Sequence, residues 1–175
     1  KARNMDPLDF IETDFQPDYR TLDVDAGQIA WWEDGSGAET IVWVHGLPLE
    51  SRAWEPQRRF FAPRCRNVFI DLRGYGRSTK LPHGPKDVTA LYSADLTALF
   101  DALSLDGALL VGHASAGHLA LRFSALNPER IDKLVSINGS PRFRAGPDWP
   151  WGFSETDMAR FETIRREQGI EGLTD

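Results

Sequence analysis

The residues of this chain that could do chemistry lie in a short turn at 112–117, which reads Gly-His-Ala-Ser-Ala-Gly. This turn joins an apolar run at 108–111 to a segment with helical spacing at 115–126. A sharp strand-to-helix turn made of small residues holds one side chain above a sheet, and the helix N-terminus stabilises negative charge nearby. The pattern therefore predicts nucleophilic chemistry at residue 114, with stabilisation of an anion.

Residue 114 is alanine, so the position of the nucleophile carries no nucleophilic atom. One explanation is an engineered serine-to-alanine substitution, because the neighbouring small residues otherwise preserve a working turn. A second is a natural homologue that binds a ligand or partner without catalysis. A third is a shifted register in which Ser115 is the nucleophile. That register places the imidazole of His113 where the turn needs a small residue, which argues against it.

The elements that position this turn follow an alternating pattern of strands and helices. Four short apolar runs predict strands buried on both faces, at 41–44, 68–70, 108–111 and 134–137. Helical spacing predicts helices over 93–103, with Asp95 in the first turn, and over 115–126. Two extended segments around Ala26-Gly27 predict a preceding hairpin. The alternation predicts an α/β fold with a largely parallel sheet.

The composition changes after Ser140, where three prolines and several aromatic residues fall within 141–153. A new helix is predicted to begin at Ser154, with Asp157 completing a capping box and Gly169 ending the helix. We therefore divide the chain into a poorly ordered lead-in at 1–17, a core at 18–140 and a separate segment at 141–175.

Length and composition exclude several classes of protein. The chain has 175 residues, 41% apolar and 26% charged, which suits one soluble globular domain. Its net charge of −6 and scattered basic residues argue against nucleic acid as a partner. No apolar run is long enough to cross a membrane and no signal peptide is present in the chain as given, so we expect a cytoplasmic protein without membrane partners.

Two residue counts add to this picture. Cys65 is the only cysteine, so neither an intrachain disulfide nor a multi-cysteine metal site can form. Six tryptophans are more than a core of this size needs, which favours an apolar ligand pocket. The sequence gives no indication of the oligomeric state.

Four motifs in a fixed order give the chain a family resemblance. His45-Gly46 follows the strand at 41–44, residues 71–78 read Asp-Leu-Arg-Gly-Tyr-Gly-Arg-Ser, the turn at 112–117 comes next, and Asn-Pro-Glu-Arg at 127–130 precedes the last strand. Together they resemble the α/β-hydrolase family. The segment from 141 is more loosely similar to the start of the helical cap of carboxylesterases.

The resemblance implies a reaction and a set of residues for it. Relatives of this kind cleave a carboxylic ester, lactone or thioester through an acyl-enzyme, with a serine at position 114 and no metal or organic cofactor. Backbone N–H groups of Leu47 and Ser115 form the oxyanion hole. The catalytic acid and histidine come after residue 175 in family order. The expected substrate-binding residues are His113, Trp149, Trp151 and Phe153.

The same resemblance leaves other activities open. C–C bond hydrolases and cofactor-free dioxygenases use similar turns on ketonic substrates. Dehalogenases and epoxide hydrolases have aspartate at the nucleophile position, but they usually follow it with tryptophan, which Ser115 does not match. The family also implies that Asp71 and Arg73 hold a loop in place and are not catalytic. His45 and His113 each lie beside a glycine that sets a turn, so we expect both to be structural histidines and not proton carriers.

Overall fold

The computed structural model of the chain describes residues 15–81 and 87–168. In these residues one sheet contains six strands: β1 (Arg20–Val24), β2 (Gly27–Asp34), β3 (Thr40–Val44), β4 (Arg66–Asp71), β5 (Ala108–His113) and β6 (Ile131–Ile137). The helices are α1 (Glu55–Phe61), α2 (Val88–Ala102), α3 (Ser115–Leu126) and α4 (Glu155–Gln168). A 3₁₀ turn over Ser51–Trp54 leads into α1.

The strand order in the sheet is β1-β2-β4-β3-β5-β6. The β1-β2 hairpin and its pairing with β4 are antiparallel, whereas β4, β3, β5 and β6 are parallel to one another. The predicted hairpin and largely parallel sheet are therefore confirmed. Val44 lies opposite Gly112 across β3 and β5, which brings the carboxyl ends of these two strands side by side.

Apolar residues cover both faces of the sheet because successive side chains of a strand point to opposite faces. On β3, Val42 and Val44 join one core cluster, and Trp43 joins the other. The first cluster is completed by α2 and α3, and the second by aromatic rings. In the second, the ring of Phe69 stacks on Trp32 with centroids 3.9 Å apart.

The tryptophans mostly serve this core. Trp31, Trp32, Trp43 and Trp54 are all buried in the two clusters. The interpretation of the high tryptophan count as a sign of a ligand pocket is therefore wrong for Trp31, Trp32 and Trp43, because they fill the space between the sheet and its covering elements. Trp54 also lines a cleft beside His113.

The last strand departs from the prediction of burial on both faces. Val135 and Ile137 of β6 are 42% and 37% exposed. Within the described residues β6 pairs only with β5, so it is an edge strand. A short apolar run looks the same in the middle of a sheet and at its edge, which is why the pattern misled.

Helix α2 begins earlier than its apolar stripe suggests. Its N-cap is Asp87, whose Oδ1 accepts the N–H of Ala90 at 2.9 Å. Asp95 therefore lies two turns into the helix, and the placement of Asp95 in the first turn is wrong. Its carboxylate is buried and paired with Arg73, so a tertiary contact and not the helix dipole explains it.

The end of the predicted lead-in packs against the core. The ring of Phe15 lies 5.4 Å from that of Trp32, and the guanidinium of Arg58 lies over Phe15 at 3.9 Å. Pro17 is buried as well. Residues 15–17 are thus part of the packed structure, and residues 1–14 of the lead-in lie outside the described part of the chain.

The chain divides into two compact units, the first ending at Gly139 and the second beginning at Ser140. In the second unit, Asp157 N–H donates to Ser154 Oγ at 3.1 Å, and Ser154 N–H donates to Asp157 Oδ2 at 2.9 Å. This confirms the predicted capping box at the start of α4. The predicted stop at Gly169 lies outside the described residues.

The described residues contain neither a helix that could cross a membrane nor a cluster that could bind a metal ion. Across 15–81 and 87–168, no helix is long and apolar enough to cross a membrane. The same residues hold no group of three or more His, Cys, Asp or Glu side chains arranged to bind a metal ion.

Candidate active site

The turn between β5 and α3 places Ala114 at its apex. Ala114 has φ 51° and ψ −116°, a conformation that costs free energy for any residue with a Cβ. Its N–H donates to the carbonyl of Ile137 at 2.8 Å, and its own carbonyl accepts the N–H of Gly117 at 2.9 Å. The strained apex is thus residue 114, whereas Ser115 is the first residue of α3.

Glycines allow this turn and the loop after β3 to approach closely. A Cβ on Gly112 would collide with the carbonyl oxygen of Ala116. A Cβ on Gly46 would lie 2.8 Å from His113 Nδ1 and 3.1 Å from the Cβ of Ala114. The structure therefore brings the loop at 45–47 directly against the apex of the turn.

The two residues predicted to form an oxyanion hole face each other across this contact. Leu47 N–H donates a hydrogen bond to Ser115 Oγ at 3.1 Å. The N–H of Ser115 is among the first of α3, and such groups have no partner within their own helix. Leu47 and Ser115 are thus adjacent, with the Leu47 N–H bonded to the Ser115 side chain.

The buried side chain of His45 holds the loop at 45–47 in place. Its Nε2 accepts the N–H of Leu72 at 3.0 Å, so in the neutral ring Nδ1 carries the proton and donates to the carbonyl of Gly46 at 3.0 Å. Burial lowers the pKa of His45 and keeps the ring neutral. Both ring nitrogens are therefore engaged in structure, as the predicted structural role requires.

Asp71 also acts on loops. Its side chain is fully buried, with Oδ1 accepting the N–H of Ser51 at 2.7 Å and Oδ2 accepting the N–H of Arg77 at 2.8 Å. Asp71 thereby fixes the start of the 3₁₀ turn and the loop that follows β4. Both of its carboxylate oxygens accept hydrogen bonds from backbone N–H groups, which is a structural role.

A cleft of about 250 Å³ adjoins the turn. It shares Gly46 and His113 with the site, and the ring of His113 meets Trp54 edge-on with centroids 6.3 Å apart. All of its lining residues belong to the first unit: His45, Gly46, Leu49, Ala53, Trp54, Gln57, His113 and Ile137. The lining is mostly apolar, and His113 is the one predicted substrate-binding residue among its members.

Two polar atoms in the cleft wall have no hydrogen-bond partner among the described residues. They are Trp54 Nε1, a donor, and Gln57 Oε1, an acceptor, and both atoms are buried. Sequence reasoning missed both residues because it did not predict the 3₁₀ turn and α1 that carry them. The available signal was their spacing of three residues soon after the His45-Gly46 motif.

The aromatic residues predicted to bind substrate lie in the second unit. Trp149 and Trp151 form an edge-on ring pair with centroids 5.3 Å apart, and Phe153 pairs in the same way with Phe161 at 5.0 Å. Trp151 is 78% exposed. A role for Trp149, Trp151 and Phe153 in substrate binding stays a prediction.

Comparison with known proteins identifies the class to which this fold and turn belong. The family model described as the alpha/beta hydrolase fold matches residues 39–166. The chain therefore belongs to the α/β-hydrolase family, which confirms the predicted fold class.

Two relatives show which hydrolases the chain resembles. Over 107 residues the chain is 38% identical to RutD of Caulobacter sp. strain K31, a protein named for carbamate hydrolysis, covering 61% of this chain and 40% of RutD. Over 120 residues it is 31% identical to a pimeloyl-[acyl-carrier protein] methyl ester esterase of Pectobacterium carotovorum, covering 69% of this chain and 44% of the esterase. The chain thus spans less than half the length of these hydrolytic relatives.

A solved structure has a similar fold. The bromoperoxidase of Bacillus anthracis superposes with a TM-score of 0.79 at 25% identity, covering 89% of this chain and 57% of that protein.

Proposed function

We propose that this site hydrolyses a carboxylic ester, or a lactone or thioester, when residue 114 is serine, and that the chain with Ala114 binds the same ester without cleaving it. One observation carries the proposal. The backbone N–H of Leu47 donates to the side chain of Ser115, the first residue of α3, which directly follows the strained apex Ala114. Backbone N–H groups of two such residues beside a nucleophile position form the arrangement that stabilises the tetrahedral intermediate of acyl transfer.

The reaction follows from that arrangement. The ester carbonyl oxygen binds to the N–H groups of Leu47 and Ser115. A serine Oγ at position 114 attacks the carbonyl carbon, and its proton passes to a histidine base oriented by a carboxylate. The C–O bond to the alcohol then breaks, the histidine returns the proton to the alcohol, and water later releases the acid from the acyl-enzyme. In family order the histidine and the carboxylate follow residue 175, and the chemistry needs no metal or organic cofactor.

The cleft suits a neutral and mostly apolar substrate. Leu49, Ala53 and Ile137 supply an apolar wall, and burial holds His45 in its uncharged form. Removal of apolar substrate surface from water into such a cleft favours binding. The methyl ester esterase among the relatives supports an ester, and the name of RutD points to a carbamate, which presents the same kind of carbonyl group.

A second candidate function is binding without catalysis. The observation that favours it is the methyl group of Ala114, which leaves the apex without an attacking atom although the surrounding turn is intact. The codon at position 114 of the natural gene separates the two candidates. A serine codon supports the hydrolase, and an alanine codon supports the binding protein.

The direct test is Ala114→Ser in the full-length protein. Hydrolysis of p-nitrophenyl butyrate should rise by about 10⁴–10⁶-fold, the scale of loss when a triad nucleophile is removed elsewhere. The revertant should also gain the mass of a fluorophosphonate label. The free energy of unfolding should change by less than about 0.5 kcal/mol, because serine and alanine differ by one hydroxyl.

Ser115→Ala in the Ala114 protein is the control for register. Activity present in the Ala114 protein and abolished by Ser115→Ala would show that Ser115 is the nucleophile. A revertant that stays unlabelled and inactive, but still binds the ester, would overturn the hydrolase and favour the binding protein.

A further inference from the structure

We infer that the Ser115 hydroxyl occupies the oxygen position of the oxyanion hole in the ligand-free protein and must leave before a carbonyl oxygen can bind. This inference rests on the proposed function and concerns what a ligand must displace at the same site. The observation behind it is the hydrogen bond from Leu47 N–H to Ser115 Oγ, 3.1 Å long.

The contact is specific to these two groups. Leu47 lies in the loop after β3 and Ser115 is the first residue of α3, 68 residues along the chain, so the bond forms only because β3 and β5 are neighbours. The N-cap of α3 is Ala114, whose side chain makes no capping hydrogen bond, and the Ser115 hydroxyl accepts its hydrogen bond from Leu47. The hydroxyl therefore bonds across the site to the donor that acyl transfer requires.

A backbone N–H offers one strong hydrogen bond. An ester oxygen that takes the Leu47 N–H must displace the Ser115 Oγ, whose side chain can rotate about its Cα–Cβ bond. An intramolecular hydrogen bond is favoured over the competing bonds to water by a modest amount, so the resident hydroxyl should weaken ligand binding by about 2- to 10-fold.

The displacement is the same for every ligand oxygen. The substrate carbonyl, the tetrahedral intermediate and the product acid all need the same N–H. The Ser115 hydroxyl therefore lowers the affinity for all of them by the same factor. A change that affects substrate and transition state equally alters KM and leaves kcat unchanged. Ser115 is in this respect a positioning residue, acting through the Leu47 N–H.

The test measures binding of intact p-nitrophenyl butyrate to the full-length Ala114 protein by calorimetry. Ser115→Ala should bind the ester 2- to 10-fold more tightly, and Ser115→Thr, which restores a hydroxyl, should return the affinity toward the parent value. Ser124→Ala makes the same change further along α3, at a hydroxyl that has no hydrogen-bond partner within 15–81 and 87–168, and should leave affinity unchanged. In the Ala114→Ser background, Ser115→Ala should lower KM by the same factor.

A second readout is independent of any ester. The backbone amide proton of Leu47, observed by NMR in the ligand-free protein, should move upfield and exchange faster in Ser115→Ala, because its hydrogen-bond partner is lost. Weaker or equal ester binding by Ser115→Ala overturns the inference, and weaker binding would make the hydroxyl a donor to the ligand. If no variant binds the ester, the hydrolase proposal fails, and an unchanged Leu47 amide would separately overturn the Ser115 contact.

Discussion

Arg73 and Asp95 form a buried, two-pronged ion pair, with Nε 2.8 Å from Oδ2 and Nη2 2.7 Å from Oδ1. The third nitrogen of the guanidinium, Nη1, donates to the carbonyl of Asp25 at 2.6 Å, and the Tyr92 hydroxyl donates to the carbonyl of Arg73 at 2.9 Å. Burial raises the pKa of Asp95, an effect that Arg73 opposes, and raises the pKa of Tyr92 to about 12. The pair thus joins the hairpin turn, the loop after β4 and helix α2.

Arg73→Ala should lower the free energy of unfolding by about 3–5 kcal/mol, because it leaves the Asp95 carboxylate buried without its partner. The double variant Arg73→Met, Asp95→Leu should lose less, since it removes both charges and keeps the volume. Urea unfolding of the three proteins measures the difference. A double variant less stable than Arg73→Ala would contradict this account of the pair.

Stability should fall as the pH is lowered through the range below about 6.5. The folded pKa of His45 is lowered by burial from an ordinary value of 6.5, so below that value the unfolded chain binds a proton that the folded chain does not. The contribution is complete above pH 6.5 and is lost toward the lowered pKa, with a slope of at most about 1.4 kcal/mol per pH unit. Urea unfolding between pH 5 and 8 measures it.

His45→Gln is the control for this pH dependence. An amide offers both a donor and an acceptor to the loop but does not titrate in this range. The parent and the variant should therefore differ in slope below pH 6.5 and run parallel above it. Identical slopes throughout would show that another group is responsible.

Trp151→Ala should separate ligand contact from packing. Trp151 is largely exposed, so its removal should change the free energy of unfolding by less than about 0.5 kcal/mol. If the ring contacts the acyl chain, the affinity of the full-length protein should fall more for octanoyl than for acetyl esters, at about 0.8 kcal/mol per buried methylene. Equal losses for both esters would show that Trp151 does not contact the acyl chain.

Leu134 of β6 packs against the first core cluster. Leu134→Lys should lower the free energy of unfolding by about 2–5 kcal/mol, since it places a charge against the core. Leu134→Met keeps an apolar side chain of similar volume and should cost less than about 1.5 kcal/mol. Urea unfolding measures both variants, and equal destabilisation would contradict the contact of Leu134 with the core.

Local patterns were enough for the turn and for most of the sheet. The small residues at 112–117 indicated the strand-to-helix turn, and the helix after it runs over Ser115–Leu126 as predicted. Apolar runs located β3, β4 and β5 because strands buried on both faces have few polar residues. These features depend on residues close together in sequence.

Features that depend on distant residues could not be predicted. The exposure of Val135 depends on which strands pair with β6, and the apolar run at 134–137 does not indicate those partners. The burial of Asp95 depends on Arg73, which lies in the loop after β4. The bond between Leu47 and Ser115 depends on the register of β3 against β5. Trp54 was missed because the short turn and helix that hold it have no clear periodicity.

The neighbouring position of β3 and β5 also sets the order in which a refolding chain acquires its properties. Their pairing closes a loop of more than sixty residues, and contacts so distant in sequence form late because the entropy of closure comes before their stabilisation. Helices such as α2 form from local contacts within microseconds. During refolding, the helical circular dichroism signal should therefore return before ligand binding does. Recovery of ligand binding would then report when β3 and β5 pair.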